Sequence, residues 1–112
     1  MTPPRRGEVW LVSLDPIRGR EQAGTRPALV LSVDGFNAVS GLVTVLPITS
    51  KARAVRTRVE MTPPDGGLKK VSYVIAEQVR TVSMDRLAKR LGSASTATVH
   101  ATETIVKMLL GM

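Results

Sequence analysis

The chain has 112 residues, no cysteine, and 16 Lys and Arg against 9 Asp and Glu, for a formal net charge of +7. That length predicts one domain with one core, small enough for a partner subunit to add stability, and the missing cysteines exclude a disulfide framework, a thiol nucleophile and a thiolate metal site. The basic excess points to a polyanionic partner, nucleic acid or an acidic protein tail, and because 11 of the 16 are Arg it favours a planar, two-bond grip on phosphate.

The basic start, Met1 to Arg6, runs only into Val9-Trp10-Leu11-Val12, too short for a signal segment or a membrane span, so a soluble, cytoplasmic protein with no membrane partner is expected. Gly7 to Leu14 reads as a first strand, closed by Asp15-Pro16. Residues 15–25 hold Pro16, Gly19 and Gly24 among polar groups and predict a long surface loop able to act as a lid. At Arg26-Pro27 the polar loop becomes an apolar strand, predicted over 26–33. Proline pushes the residue before it into extended geometry, so Arg26 is fixed at the strand mouth, while Ala28 to Leu31 read as buried on both faces.

Asp34-Gly35-Phe36-Asn37 predicts a turn followed by no more than one helical turn. Leu42 to Thr49 predicts a third strand in which Pro47 implies a bulge or an edge. Lys51, Arg53, Arg56 and Arg58 then make a basic loop leading into a short strand at 56–60, and Met61 to Gly67 is a turn by composition. Strands are predicted at 71–76 and 78–83, a brief helix at 84–89, and a terminal helix with Ser95 as N-cap and a stripe of Val99, Thr102, Val106 and Leu109, widened by Ile105 and Leu110. Short strands with one substantial helix give a mainly β (α+β) fold, a small bent antiparallel sheet or partly open barrel. Periodicity leaves SH3-like and OB-like versions open.

Several pieces in this order and spacing carry a resemblance: Arg6-Gly7-Glu8-Val9-Trp10, Asp15-Pro16, Gly19, Glu21-Gln22, Arg26-Pro27, Thr49, and Glu77-Gln78-Val79-Arg80. Nearly end to end, the chain resembles the MazF/PemK family of toxin endoribonucleases. The resemblance implies an SH3-like barrel and a homodimer. It also implies cofactor-free, metal-independent cleavage of single-stranded RNA, messenger RNA included, at a short sequence, and neutralisation by an acidic antitoxin of the MazE type. It assigns catalysis to Arg26 and Thr49. Arg20 departs from the small polar residue of many relatives and puts an extra charge in the loop.

The chemistry asks for these residue types. Attack by the RNA 2′-hydroxyl needs a deprotonated nucleophile, a stabilised phosphorane and a protonated leaving 5′-oxygen. Arg26 suits charge stabilisation and Thr49 a neutral hydrogen bond to the same oxygens. The base is not identified by residue type, and Glu21 and Glu77 are the carboxylates available to help. RNA-binding residues are expected to be Arg20, Gln22, Lys51, Arg53, Arg56, Gln78 and Arg80, with charge supplying most of the affinity because Trp10, Phe36 and Tyr73, more readily core residues, cannot form an extended stacking platform. His100, the sole histidine, falls within the terminal helix, which excludes a two-histidine mechanism in one chain, and no spacing in the sequence suggests a metal site. The alternatives are a gyrase-binding toxin resembling CcdB and a non-catalytic SH3-like nucleic-acid-binding module.

Overall fold

The computed structural model describes residues 2–15, 19 and 24–112. Strand β1 covers Glu8–Ser13 and β2 covers Thr25–Val30, paired antiparallel with Trp10 opposite Ala28. Ala28, Leu29 and Val30 are fully buried. Side-chain alternation sends Ala28 and Val30 into a cluster with Trp10, Val12, Val43 and Val45, and Leu29 into a second with Val9, Leu46, Ile48 and Val74. The unbroken apolar run therefore feeds two cores, one on each face, as expected.

Between β2 and the next strand the expected turn is a longer helix, α1, at Asp34–Ser40, ended by Gly41 at φ 72. Its buried Asn37 explains the extension: Nδ2 donates to the carbonyls of Pro4 at 3.0 Å and Ser32 at 3.1 Å, so the helix serves as a peg for the N-terminal arm. Phe36 stays 39% exposed on α1, unlike Trp10, which is core.

Strand β3, Leu42–Thr49, is the hub. One side pairs with β2; the other pairs first with β6 (Arg80–Ser83), Leu42 opposite Ser83 through Val45 opposite Arg80, and then with β5 (Ser72–Ile75), Ile48 opposite Val74 and Thr49 opposite Tyr73. Pro47 sits where the strand changes partner. Of the expected bulge or edge it is not an edge: it marks a discontinuity within a central strand, tolerated because the ladder on that side is already interrupted there. β4, Arg58–Met61, pairs with β5, giving the order β4-β5-β3-β2-β1-β7 with β6 also on β3.

The helix expected over 84–89 is instead a 3-10 turn, Met84–Arg86, followed by strand β7, Leu87–Ser93. Ala, Lys, Arg and Leu are good helix formers, but propensity is small beside tertiary pairing, and the open edge of β1 overrides it: β7 pairs along it with two register shifts, burying Leu87 and leaving Lys89 and Arg90 as exposed edge charges. Helix α2 spans Thr96–Leu109, and Ser95 caps it as expected, its Oγ accepting the Thr98 N–H at 3.1 Å. Its buried face is Thr98, Thr102 and Val106, with Val99 and Ile105 partly covered, whereas Leu109 and Leu110 project past the sheet, 48% and 62% exposed. Buried Thr102 is satisfied locally, its Oγ1 donating to the Thr98 carbonyl at 2.9 Å.

The result is a small, bent, seven-stranded antiparallel sheet with a C-terminal helix, whose end strands β4 and β7 do not pair. A 3-10 turn at Asp65–Gly67, after β4, bridges them. Gly67, at φ 72, lies so close to β7 that an added Cβ would fall 2.0 Å from the Leu91 carbonyl oxygen, which only glycine permits. Beside it Asp65 accepts the Ser95 N–H at 2.7 Å and the Thr98 hydroxyl at 2.6 Å, tying the turn to the start of α2.

Candidate active site

Ala28 on β2 faces Pro47 on β3. Continuing that antiparallel register two residues outward sets Arg26 opposite Thr49, on the same face of the sheet because side chains repeat every second residue. Both line one open cleft of ≈ 260 Å³. Pro27, Ile48 and Leu68 give it an apolar component, Ser50 and Ser72 add hydroxyls, and Lys69 and Lys70 come in from the loop between β4 and β5.

The two predicted catalytic residues are held differently. Arg26 is half-buried between Thr25 and Pro27, which fix its backbone in the strand. Thr49 is only 4% exposed, and its Oγ1 accepts the Lys51 N–H at 3.2 Å. That bond occupies a lone pair and leaves the hydroxyl proton available for an oxygen in the cleft.

Arg20, Glu21 and Gln22 lie outside the described residues. The loop they belong to is fixed at its base: the Leu14 N–H donates to the Gly24 carbonyl at 3.0 Å, and the Gly24 N–H to Asp15 Oδ1 at 3.1 Å. Arg80 Nη1 donates to the Leu14 carbonyl at 3.4 Å, and Arg86 Nη1 to the carbonyls of Ser13, at 3.3 Å, and Asp15. Arg80 is thus directed to the root of the loop and is not a lining residue of the cleft.

The basic loop after Thr49 divides. Lys51, Arg53 and Arg56 are exposed, but Arg58 turns inward, its side chain 7% exposed, and pairs with Glu77 at 3.3 Å. Glu77 also accepts the Thr57 hydroxyl at 2.8 Å, so this carboxylate is engaged with the start of β4 and does not line the cleft. Arg58 Nε, buried, is left without a hydrogen-bond partner. Gln78, in the 3-10 turn Ala76–Gln78, is half-buried. His100 is exposed on α2.

Sequence reasoning passed over Lys69, Lys70 and Ser72. The signal was present, a Lys-Lys pair one residue beyond a Gly-Gly turn, but nothing in the sequence says that this turn folds back to the strand ends carrying Arg26 and Thr49. The carboxylates held below their ordinary value lie elsewhere. Burial pushes the Glu8 carboxyl up, but the Arg5 N–H, the Trp10 indole and the Arg90 guanidinium together bring it down. For Glu103 the downward pull is led by hydrogen bonding to Lys107. Neither lines the cleft, which offers no carboxylate or imidazole among the described residues. Likewise no group of three or more His, Asp or Glu among the described residues is placed to hold a metal ion.

Comparison with known proteins agrees with this geometry. A family model described as PemK-like, MazF-like toxin of type II toxin-antitoxin system matches residues 5–110. Endoribonuclease PemK of Escherichia coli is 42% identical over 108 residues, covering 95% of this chain and 76% of that protein. The crystal structure of MazF from Deinococcus radiodurans superposes with TM-score 0.90 at 32% identity, covering 98% of both chains. MazE-MazF from the same organism gives TM-score 0.82 at 33% identity over 97% of this chain and 96% of the other. With its strands, helix and cleft-forming loops all inside the matched span, the chain belongs to the PemK-like, MazF-like toxin family of type II toxin–antitoxin systems.

Proposed function

We propose that residues 1–112 act as one toxin unit, a cytoplasmic endoribonuclease that cleaves single-stranded messenger RNA at a short sequence and is silenced by a cognate acidic antitoxin of the MazE type. The observation that carries this reading is the placement of Arg26 and Thr49 across one cleft, on adjacent strands, in a chain 42% identical to an endoribonuclease. No helix among the described residues is long and apolar enough to cross a membrane.

In the reaction the 2′-oxygen attacks the adjacent phosphorus, the phosphorus–5′-oxygen bond breaks, and the proton from the 2′-hydroxyl ends on the leaving oxygen. Products therefore end in a 2′,3′-cyclic phosphate and a 5′-hydroxyl. Arg26 stays protonated and offers its fork to the oxygens that gain charge in the phosphorane, and the Thr49 hydroxyl donates to the same group. Because the lining supplies guanidinium, ammonium and hydroxyl groups in place of carboxylates, the fixed charge of the protein does the work of a metal ion.

The antitoxin reading rests on charge. At +7, with Lys51, Arg53 and Arg56 exposed on the loop that leaves the cleft after Ser50, an acidic segment laid across the groove satisfies the cations that otherwise hold phosphates, so antitoxin and RNA compete. A homodimer doubles this basic field, and the exposed apolar side chains Val33, Phe36 and Val39 around α1 supply surface of the kind association covers.

The test is incubation of purified protein with a long RNA in EDTA, with fragment ends sequenced. Discrete fragments carrying cyclic phosphate ends support the proposal, and intact RNA leaves only a binding module or a gyrase-directed toxin. Arg26→Ala and Thr49→Ala should each slow cleavage by roughly 10²-fold or more while the fold survives, and near-normal cleavage by folded Arg26→Ala protein refutes the assignment.

A further inference from the structure

We propose that Lys69 and Lys70 form a second phosphate subsite of the cleft, taking the backbone phosphate next to the scissile one. This inference rests on the RNase reading and deepens it.

Both lysines line the cleft with Arg26 and Thr49, from the loop between β4 and β5. Neither ammonium has a hydrogen-bond or ion-pair partner among the described residues, whereas Arg5, Arg6, Arg58, Arg90 and Lys107 are paired with carboxylates. Two such ammoniums on adjacent residues repel one another, and an anionic occupant relieves that repulsion.

Their backbone is built in. Leu68 before them and Ser72 after them are buried, at 9% and 6% exposure, so the intervening residues span two fixed points. The Leu68 N–H donates to the Asp65 carbonyl at 3.2 Å and Ser72 Oγ to the Lys70 carbonyl at 3.0 Å. Upstream, Gly67 is wedged against Leu91 and Asp65 is bonded to Ser95 and Thr98. On such a short, anchored stretch the lysine backbone keeps a fixed relation to the strand ends, which solubility lysines do not need.

Residue type separates the two roles. Arg26, with a planar fork, suits the phosphate whose geometry and charge change, while a lysine ammonium, a hydrated point charge on a flexible stem, suits a phosphate that is only held. A single strand supplies that second charge at the next linkage.

The experiment uses an RNA with a 2′-deoxy sugar at the cut position, binding to full-length protein across a salt series. Wild-type protein should bind, and Lys69→Gln/Lys70→Gln should bind more weakly with a salt slope shallower by about 0.7, the value for one lost phosphate contact on a single strand. A scan with single neutral methylphosphonate linkages localises the effect. One linkage adjacent to the scissile phosphate should weaken wild-type binding by about tenfold and the double variant hardly at all, since its partner is gone. Failure of wild-type protein to bind or cut RNA would defeat the RNase reading itself. With wild-type binding and cleavage established, an unchanged slope, or methylphosphonate effects identical in both proteins, overturns the subsite alone. Loss of antitoxin affinity with RNA binding intact also overturns it and gives the pair to the antitoxin.

Discussion

Two basic loops begin or end at the same cleft and are made in opposite ways. The one after β3 carries Lys51, Arg53 and Arg56 on an exposed stretch, held at its start by the Lys51 N–H on Thr49 and at its end where Thr57 and Arg58 meet Glu77. The one after β4 carries Lys69 and Lys70 between buried neighbours and is tied to β7 and α2. The first is conspicuous in the sequence and structurally cheap to alter. The second is inconspicuous and welded into the fold. On the proposed RNase reading, charge density serves to attract a polyanion and anchoring serves to position it, because register relative to a reacting bond needs a fixed backbone.

The sharpest way to break this contrast is at Gly67. Gly67→Ala forces a Cβ into the Leu91 carbonyl at an unfavourable φ, and should cost about 3–5 kcal/mol in urea unfolding. Ala54→Gly, the reverse backbone change in the exposed loop, should cost no more than about 1 kcal/mol, through the entropy of the unfolded chain. Equal costs would erase the distinction.

Next in size is the anchor at the far end of the open loop. Glu77→Ala strands the buried Arg58 guanidinium and removes the Thr57 bond, with an expected loss of about 1–3 kcal/mol by the same measurement. Glu77→Gln, which still accepts from Thr57, should lose less.

A pH prediction probes the strand that receives the clamp. Glu8 joins β1 to β7 by accepting from Arg90 Nε at 2.7 Å and from the Trp10 indole at 3.0 Å, and its pKa is lowered in the fold. A depressed carboxyl contributes stability that is complete above its unfolded pKa and lost as pH falls through the folded one. Glu8→Gln should therefore cost about 1–2 kcal/mol at neutral pH and flatten the acid limb of Tm against pH. Parallel acid limbs for the two proteins would remove Glu8 from the account.

The smallest effect on stability belongs to the exposed charges themselves. Arg53→Ala/Arg56→Ala should change unfolding by under about 0.5 kcal/mol, because both are exposed and no ion pair among the described residues holds either. It should nonetheless slow RNA association at low salt, a difference that vanishes as salt screens the field. A large loss of stability would show the open loop to be as structural as the clamped one.

Local chemistry in the sequence settled much of this protein. The Arg26-Pro27 step, the two-faced run after it, the Ser95 cap and the stripe of α2 through Val106 are each decided by residues within a few positions of one another, through backbone restriction, alternation and helical period. The order of the motif residues carried the family. What the sequence left undecided was non-local. Residues 84–93 chose a turn and a strand over a helix because β1 had an open edge, and no window of residues contains that fact. Pro47 became a partner switch at the centre of the sheet, which depends on where β5 and β6 end. Lys69 and Lys70 joined Arg26 and Thr49 only because Gly67 and Asp65 fold their loop back on β7 and α2, a closure set by contacts across more than twenty residues of chain.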